Sequence, residues 1–316
     1  MYYIDIFNGD ADGILGLHQL RLQDPKKTDL ITGVKRDTLL VKHALSFSNS
    51  TITIIDISYD ANRHSLLQLL NQGNTVNYFD HHYAGKIIKS SQFNSYIDTS
   101  PHICSSILVD RYLGGKYRLW AVAAAFGDNL HPSAYKLAES LKLDQKSVQE
   151  LRELGELINY NSYGETIDDL YFPPKNLFLS LQPFEDPFEF IDKSSELKQL
   201  HEGFQNDMSK AVEKKVFRQS SVGRIFYLPN ASWSRRVSGV FSNMIAREAP
   251  EMAHALLVER FNGNFLVGVR APITRPFGAD KLCRKFSGGG RAAAAGINNL
   301  IKDRVADFIK AFEEQF

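Results

Sequence analysis

The sequence predicts an α/β protein in which a parallel, doubly wound sheet is followed by a smaller mixed α+β domain. In the N-terminal part, β-branched and aromatic runs alternate with segments whose apolar residues recur at helical spacing. The run at residues 51–58 is almost continuously apolar, as expected of a strand buried on both faces. Beyond a long polar segment at residues 194–218 this alternation ends, which indicates a second domain.

The elements of the first domain follow from these runs. Strands are predicted at residues 2–7, 29–34, 51–58, 74–80 and 96–99. Helices are predicted at residues 14–22, 61–70, 119–126, 133–141 and 145–159, with a further helix that starts at Pro101 under a Ser100 cap and continues to residue 112. The four prolines between residues 171 and 187 predict an irregular crossing segment there.

The second domain shows a different order of elements. Strands are predicted at residues 223–228, 254–259 and 264–269, and helices at residues 238–247 and 300–314. We therefore expect three parts: a catalytic domain at 1–190, a helical linker at 191–218 and a substrate-binding domain at 219–316.

Composition excludes several classes of protein. The chain has 316 residues, of which 43% are hydrophobic and 23% charged, as is ordinary for a globular protein. No apolar run approaches the ~20 residues that span a bilayer, so we expect no membrane partner. The N-terminus lacks the basic region of a signal peptide, and the two cysteines do not form a disulfide framework. A reducing cytoplasm is the expected compartment.

The near-neutral net charge of +1 conceals an asymmetry. Residues 214–291 carry 14 Lys and Arg, ten of them Arg, against 4 acids, so this segment is +10 and the remainder is −9. Such a separation predicts a polyanionic ligand. Overall neutrality suits a small phosphorylated ligand better than a long nucleic acid held by counterion release.

Acidic residues recur at the predicted ends of elements. Two carboxylates that repel each other favour a cation between them, although an Asp-Gly turn also explains the first pair. Carboxylates mixed with imidazoles suit Mn²⁺, Fe²⁺ or Zn²⁺, with Mg²⁺ less at home on histidine. The residues are Asp10, Asp12, Asp56, Asp80, His81, His82 and Asp128.

These residues resemble, in order and spacing, the four motifs of the DHH phosphoesterase family. The segment at 288–296, Gly-Gly-Gly-Arg-Ala-Ala-Ala-Ala-Gly, is similar to the glycine-rich signature of the DHH-associated C-terminal domain. Together the two matches cover almost the whole chain. The resemblance implies a parallel-sheet catalytic domain, a helical linker and a smaller domain that closes over the cleft.

The resemblance also implies a two-metal site, with Mn²⁺ as the expected ion. Asp56 would bridge the ions, Asp10 would bind the first, and the second would be bound by Asp12, His81 and Asp128. Asp80 would orient His81, and His82 would face the scissile phosphate. Two such ions clamp the attacking and leaving oxygens of a phosphodiester.

The chain departs from the family at two positions. Many members carry a histidine shortly before the first acids, where this chain offers only the amide oxygen of Asn8. A first metal site without that histidine is expected to be weaker or more open. The glycine signature usually continues with a histidine, where this chain has Arg291, which makes bidentate and permanently charged phosphate contacts.

We expect the substrate to be held by basic and glycine residues of the second domain. The glycines would offer backbone N–H groups to a phosphate. Trp233 and Phe277 could stack a base, although packing in the core is the favoured role of Phe277. The candidate substrate residues are Arg235, Arg236, Arg270, Gly288, Gly289, Gly290 and Arg291, with His102 in the first domain.

The predicted function is metal-dependent hydrolysis of very short oligonucleotides, or of linear dinucleotides such as pGpG, to nucleoside monophosphates. A terminal phosphate on the arginines and the next phosphodiester on the metals would measure substrate length. Because pGpG is what remains when a cyclic dinucleotide is opened, this activity would belong to cyclic-di-GMP turnover. No stable complex with long nucleic acid is expected, and a homodimer is compatible with the sequence.

Other functions remain open. A RecJ-like exonuclease on single strands is the main alternative, although the chain lacks extra nucleic-acid modules. A pyrophosphatase would not need so arginine-rich a domain. If the first metal site is empty, the chain could instead be a non-catalytic nucleotide-binding regulator.

Overall fold

A computed structural model describes residues 2–316 and divides into two units, Met1–Glu202 and Gly203–Phe316. Each unit is built on a single β-sheet. No helix among residues 2–316 is long and apolar enough to cross a membrane.

The first unit contains an all-parallel sheet of five strands in the order β2-β1-β3-β4-β5, which confirms the predicted sheet. The chain leaves β1 for one neighbour and later returns to the other, so the β1/β3 boundary is a topological switch point. Ligands of open α/β sheets bind outside the carboxyl ends of the strands at such a point. The strands are β1 (Tyr3–Phe7), β2 (Asp29–Thr32), β3 (Thr51–Ile55), β4 (Thr75–Asp80) and β5 (Phe93–Ile97).

Helices cover both faces of this sheet, because alternate strand residues point to opposite sides. Ile4, Ile52 and Val76 pack into one core with α2 and a 3₁₀ turn at Leu40–Ala44. Phe7 lies on the other face against Phe178 of α7. The helices are α1 (Ala11–Gln23), α2 (Tyr59–Asn71), α3 (Ser105–Tyr112), α4 (Arg118–Gly127), α5 (His131–Ser140), α6 (Gln145–Asn161), α7 (Pro174–Leu181) and α8 (Pro187–Lys193).

Two predictions for this unit were wrong, both near prolines. The helix expected from Pro101 begins at Ser105, because Ser100 closes a tight turn on the side chain of Asp98 instead of capping a helix. The segment expected to be irregular contains α7, since Pro174 occupies the first turn of that helix, where the missing N–H costs nothing.

Two glycines bring α4 and α6 together beneath the carboxyl edge of the sheet. A Cβ at Gly155 would lie 1.9 Å from the carbonyl oxygen of Ala123, and one at Gly127 would lie 2.6 Å from the carbonyl oxygen of Gly155. The helices therefore touch through their backbones. Asp128, which directly follows α4, is positioned by this contact.

The second unit contains a mixed sheet of six strands in the order β10-β11-β9-β8-β7-β6. Only β7 and β8 pair in parallel, and the other neighbours are antiparallel, which confirms a mixed α+β domain. The strands are β6 (Arg218–Gln219), β7 (Gly223–Leu228), β8 (Ala253–Glu259), β9 (Phe265–Arg270), β10 (Gly289–Gly290) and β11 (Ala294–Leu300).

Helices pack on both faces of this second sheet as well. α10 contacts β8 and β9, while residues of α11 and α12, among them Leu282 and Phe308, form the core of the opposite face. The helix predicted at residues 300–314 begins later, at Val305, because residues up to Leu300 continue β11. The helices are α9 (Ser195–Val212), α10 (Ser232–Glu248), α11 (Ala279–Arg284) and α12 (Val305–Gln315).

We predict that Gly155→Ala destabilises the protein. Alanine favours a helix over glycine by about 1 kcal/mol, but its Cβ would force α6 away from α4, and overpacking costs about 1–3 kcal/mol. The difference, a net loss of up to about 2 kcal/mol, should lower the urea midpoint. Gly268→Ala is the matched control, because a Cβ there meets only Ser242 Oγ at 3.5 Å. A midpoint raised by Gly155→Ala would show that the two backbones do not touch.

Candidate metal centre

The structure brings the predicted metal ligands together at the carboxyl edge of the parallel sheet. Asp10 follows β1, Asp56 follows β3, and Asp80 ends β4, so three adjacent strands deliver carboxylates to one place. All three side chains are buried, although carboxylates are rarely buried without compensating partners.

Asp10 caps the N-terminus of α1, where its Oδ1 accepts a hydrogen bond from the Gly13 amide at 3.1 Å. Glycine is required at 13, because a Cβ there would lie 2.2 Å from the carbonyl oxygen of Asn8. Asn8 is itself buried. Its Nδ2 donates to the carbonyl of Lys35 at 3.4 Å, and its Oδ1 has no hydrogen-bond partner among the described residues. This oxygen is therefore not engaged by the described residues, and the weak ligand role of Asn8 stays a prediction.

Asp12 connects the centre to α3. Its two carboxylate oxygens accept hydrogen bonds from the amides of Ser105 and Ser106, both at 2.7 Å. The hydroxyl of Ser106 donates to the Asp12 carbonyl at 2.9 Å. These serines therefore hold an acid at the start of a helix, and Asp12 supplies the negative charge that a helix N-terminus favours.

Asp56 has a backbone conformation that is unusual for a residue other than glycine. Its φ is 57°, in the left-handed region. Its amide donates to the carbonyl of Phe79 at 2.9 Å, which holds the residue beside the end of β4. The turn directs the carboxylate toward Ser105 Oγ at 3.3 Å and His81 Nε2 at 3.3 Å.

The expectation that Asp80 orients His81 was wrong, because the carboxylate holds His82. Its Oδ1 accepts from the amide of His82 at 3.1 Å and lies 2.7 Å from His82 Nδ1. The other oxygen, Oδ2, accepts from the amide of Tyr59 at 2.8 Å. The backbone turn after β4 folds the second histidine back onto the acid, and the first histidine points to Asp56.

Two groups of side chains have the geometry to bind a metal ion. The ligand atoms of Asp12, His81 and Asp128 lie within 4.8 Å of one another, as do those of Asp56, His81 and His82. His81 belongs to both groups, and its Nε2 lies 3.9 Å from Asp128 Oδ2. An acid, an imidazole and a second acid form a donor set suited to Mn²⁺ or Fe²⁺.

Crowding of the acids alters their protonation. Burial and the charges of Asp10 and Asp12 raise the pKa of Asp56 well above its ordinary value. Burial also raises the pKa of Asp128, to about 6, although Lys35 opposes this shift. A bound cation would relieve such repulsion, so raised pKa values in a cluster of acids are typical of a cation-binding site.

Lys35 is a residue of this centre that the sequence analysis did not select. It follows β2, and its ammonium group forms an ion pair with Asp10 and lies 3.8 Å from Asp128 Oδ1. Its Nζ also donates to Asn159 Oδ1 at 3.1 Å. Burial alone would raise the pKa of Asp10, but the charge and hydrogen bond of Lys35 outweigh burial, so the net shift is downward. The rule that selected the acids, a polar side chain just beyond a strand, also applies to Lys35.

In the second unit, Arg270 and Arg291 are close along the sheet. Arg270 ends β9 and is paired with Ala294 of β11, whose carbonyl accepts from the amide of Arg291 at 2.9 Å. The Nε of Arg270 donates to Asn243 Oδ1 at 2.9 Å, while Arg291 is exposed in the turn between β10 and β11. The structure thus places both predicted phosphate-binding arginines at one end of the strand pair.

Arg235 and Arg236 are largely buried in α10. Arg236 forms a buried ion pair with Asp207 of α9, with Nε–Oδ2 and Nη2–Oδ2 distances of 2.8 and 2.7 Å. Arg235 donates to Asn230 Oδ1 at 2.6 Å, and its guanidinium lies over the ring of Phe261. The charge of Arg236 is used within the protein, so we withdraw its predicted role as a substrate ligand.

Two of the three glycines belong to a strand rather than to an open phosphate loop. Gly289 and Gly290 make up β10 at the edge of the sheet, and the amide of Gly288 donates to the Cys283 carbonyl at 2.9 Å. A Cβ at Gly288 would lie 2.3 Å from the carbonyl oxygen of Gly296. Glycine at 288 is therefore needed for packing, and its amide is already used.

Two further candidates lie at the surface. His102 is exposed in the turn before α3, and no hydrogen bond or ion pair within residues 2–316 joins its side chain to the carboxylates. Phe277, favoured as a core residue, is 67% exposed, because it lies in the irregular segment between β9 and α11.

Comparison with known proteins identifies the architecture. No family model matches the sequence, and no curated protein matches it. A DHH-domain protein described as a member of a family of ribosomal proteins superposes with a TM-score of 0.64 and 13% identity, over 99% of this chain and 86% of that one. The pGpG-specific phosphodiesterase PggH from Vibrio cholerae superposes with a TM-score of 0.59 and 16% identity, over 100% of this chain and 98% of that one. Exonuclease RecJ bound to manganese superposes with a TM-score of 0.60 and 18% identity, over 99% of this chain and 89% of that one.

This chain has the DHH phosphoesterase fold. The order of elements agrees with this fold, and in this chain the Asp80-His81-His82 tripeptide lies at the end of β4. At these identities the likeness concerns architecture, so the chemistry of the DHH centre is argued from its own residues.

We predict that Asp80→Asn lowers the pKa of His82 in metal-free protein. Burial disfavours the imidazolium, but the hydrogen bond to Asp80 and the charge of Asp56 outweigh it, so the pKa lies above its ordinary value. Asparagine keeps the shape but removes the charge. An NMR titration of the ring protons checks this, with Asp24→Asn, an exposed acid at the end of α1, as the control. An unchanged pKa would contradict the pairing of Asp80 with His82.

Proposed function

We propose that the protein is a metal-dependent phosphodiester hydrolase that acts on very short oligonucleotides or linear dinucleotides. The observation that carries this proposal is the convergence of Asp12, His81 and Asp128 at the carboxyl edge of a DHH-type sheet, with ligand atoms within 4.8 Å of one another. Three such groups, contributed by the start of α1 and by the ends of β4 and α4, would not be expected to meet at one point on an ordinary solvated surface.

These three side chains would hold a divalent cation, for which Mn²⁺ is our choice because the RecJ structure contains it. The chemistry such an ion supplies is polarisation of a phosphoryl oxygen and activation of water. Cys104 is buried, and burial together with the nearby Asp12 raises its pKa well above the ordinary value. Neither this thiol nor the serines bound to Asp12 are suited to act as nucleophiles.

His82 is the residue of the tripeptide that would contact the phosphate. Asp80 occupies its Nδ1, so Nε2 is the ring nitrogen left for a substrate oxygen. The side chain is 42% exposed, whereas His81 is 20% exposed and lies against Asp56. Because the carboxylate favours the imidazolium, His82 is suited to donate a proton to the leaving oxygen.

Substrate size is the finer part of the proposal. The structure of PggH, a pGpG-specific phosphodiesterase, matches 100% of this chain over 98% of its own length. Arg270 and Arg291 would bind the terminal phosphate of a dinucleotide such as pGpG, and the products would be nucleoside monophosphates. The +10 segment that contains both arginines supports an anionic ligand of this kind.

A RecJ-like single-strand exonuclease is the second candidate, because the RecJ structure matches 99% of this chain with a similar TM-score. The two candidates share the metal centre and differ in the length of substrate that they accept. A non-catalytic nucleotide-binding regulator is less well supported, since the acids and His81 of the centre are all present and converge.

We predict that, with Mn²⁺, the protein cleaves dinucleotides far faster than longer strands. The experiment is a series of 5′-labelled oligonucleotides two to about twenty residues long, with products separated by electrophoresis. His81→Ala should abolish cleavage, because it removes an imidazole shared by both ligand groups. Chelation with EDTA should do the same. Cleavage independent of length would select the exonuclease, and binding without cleavage would select the regulator.

We predict that Arg291→Ala raises the KM for dinucleotides that bear a terminal phosphate, with little change in kcat. A charged hydrogen bond is worth about 1.5–3 kcal/mol, which corresponds to a rise of roughly ten- to hundredfold. Arg284→Ala is the control, because Arg284 is an exposed arginine paired with Asp280 within α11. If phosphorylated and unphosphorylated dinucleotides lose affinity equally, Arg291 does not bind that phosphate.

A further inference from the structure

Lys35 is fixed within the acidic centre from several directions. Its amide donates to the Ser162 carbonyl at 3.0 Å, and its own carbonyl accepts from Asn8 Nδ2 at 3.4 Å. Its ammonium group meets Asp10, Asn159 Oδ1 at 3.1 Å and Asp128 Oδ1 at 3.8 Å. An ammonium group has three donors, and three oxygens surround it here.

The backbone makes this position of Lys35 a built feature of the fold. A Cβ at Gly9 would lie 2.0 Å from the carbonyl oxygen of Gly33, so the loop after β1 and the loop after β2 touch through their main chains. The adjacency of β1 and β2 in the sheet brings the two loops together. Lys35 enters the centre from the second loop, two residues beyond this contact.

We propose that the ammonium group of Lys35 takes the place of one of the two metal ions expected at this centre. Asp10 is the ligand that the first ion would need, and its carboxylate is paired with Lys35. Asn8 stands where an imidazole ligand was expected. A divalent ion beside Asp10 would be repelled by a fixed positive charge that is already paired with the same carboxylate. The ligand group formed by Asp12, His81 and Asp128 does not include Asp10, so it remains able to bind a single ion.

In this arrangement one fixed cation and one exchangeable cation together offset much of the negative charge of the carboxylates. Lys35 supplies a positive charge beside Asp10 and Asp128. No covalent step involves the lysine. This inference rests on the proposed metal centre, but it concerns the number of ions and does not require that the substrate be a dinucleotide.

The test is to count the bound Mn²⁺ ions in the full-length protein. After removal of metal with a chelator, calorimetric titration and elemental analysis should give one ion per wild-type chain. The electron paramagnetic resonance spectrum should show the hyperfine pattern of an isolated ion. Lys35→Ala should bind a second ion and give an exchange-coupled spectrum, because Asp10 is released. Lys35→Arg, which keeps the charge, is the matched control and should bind one ion.

Wild-type protein that binds two ions, or none, overturns the inference. Because this comparison uses the unaltered chain, it holds even if Lys35→Ala fails to fold. Lys35→Ala protein that folds but binds only one ion also overturns it. Hydrolysis of dinucleotides by protein with two ions would support the proposed function and contradict the role of Lys35. One bound ion without any hydrolysis would support the role of Lys35 and contradict the proposed function.

Discussion

Convergence of negative charge at one edge of a parallel sheet is the constraint on which the first unit depends. Parallel strands end on the same side, so acids that follow β1, β3 and β4 must meet. The mutual repulsion of these acids is reduced because different acids have different partners. Lys35 is paired with Asp10, helix amides with Asp12 and an imidazole with Asp80. Asp56 lies 3.3 Å from Ser105 Oγ and from His81 Nε2, yet burial and the charges of Asp10 and Asp12 still raise its pKa.

The strands of the first unit and the identity of the converging acids could be predicted because both depend on local patterns. A β-branched run predicts a strand, and a polar residue at its end predicts a position on the carboxyl edge. Which histidine pairs with Asp80 could not be predicted, because it depends on a turn in which the His82 amide also donates to that acid. Spacing alone does not determine such a turn.

Long-range pairing limited prediction elsewhere too. Arg236 was a plausible phosphate ligand by sequence, yet its partner Asp207 lies on the preceding helix and buries the charge. Lys35 is the opposite case, a basic residue of the metal centre that the sequence did not reveal. Its position depends on two glycine loops, 9 and 33, that touch only because β2 lies next to β1. Topology, rather than residue type, decides whether a basic side chain meets a ligand or an internal acid.

The hydrogen bonds of Asp12 make the start of α3 a reporter of the metal centre. The same carboxylate serves as a candidate ligand and as the acceptor for the amides of Ser105 and Ser106. A cation that draws on its oxygens therefore alters the electron density available to those two amides. The rate of amide hydrogen exchange at Ser105 and Ser106 would therefore change when an ion binds, even without substrate, and would report metal binding directly.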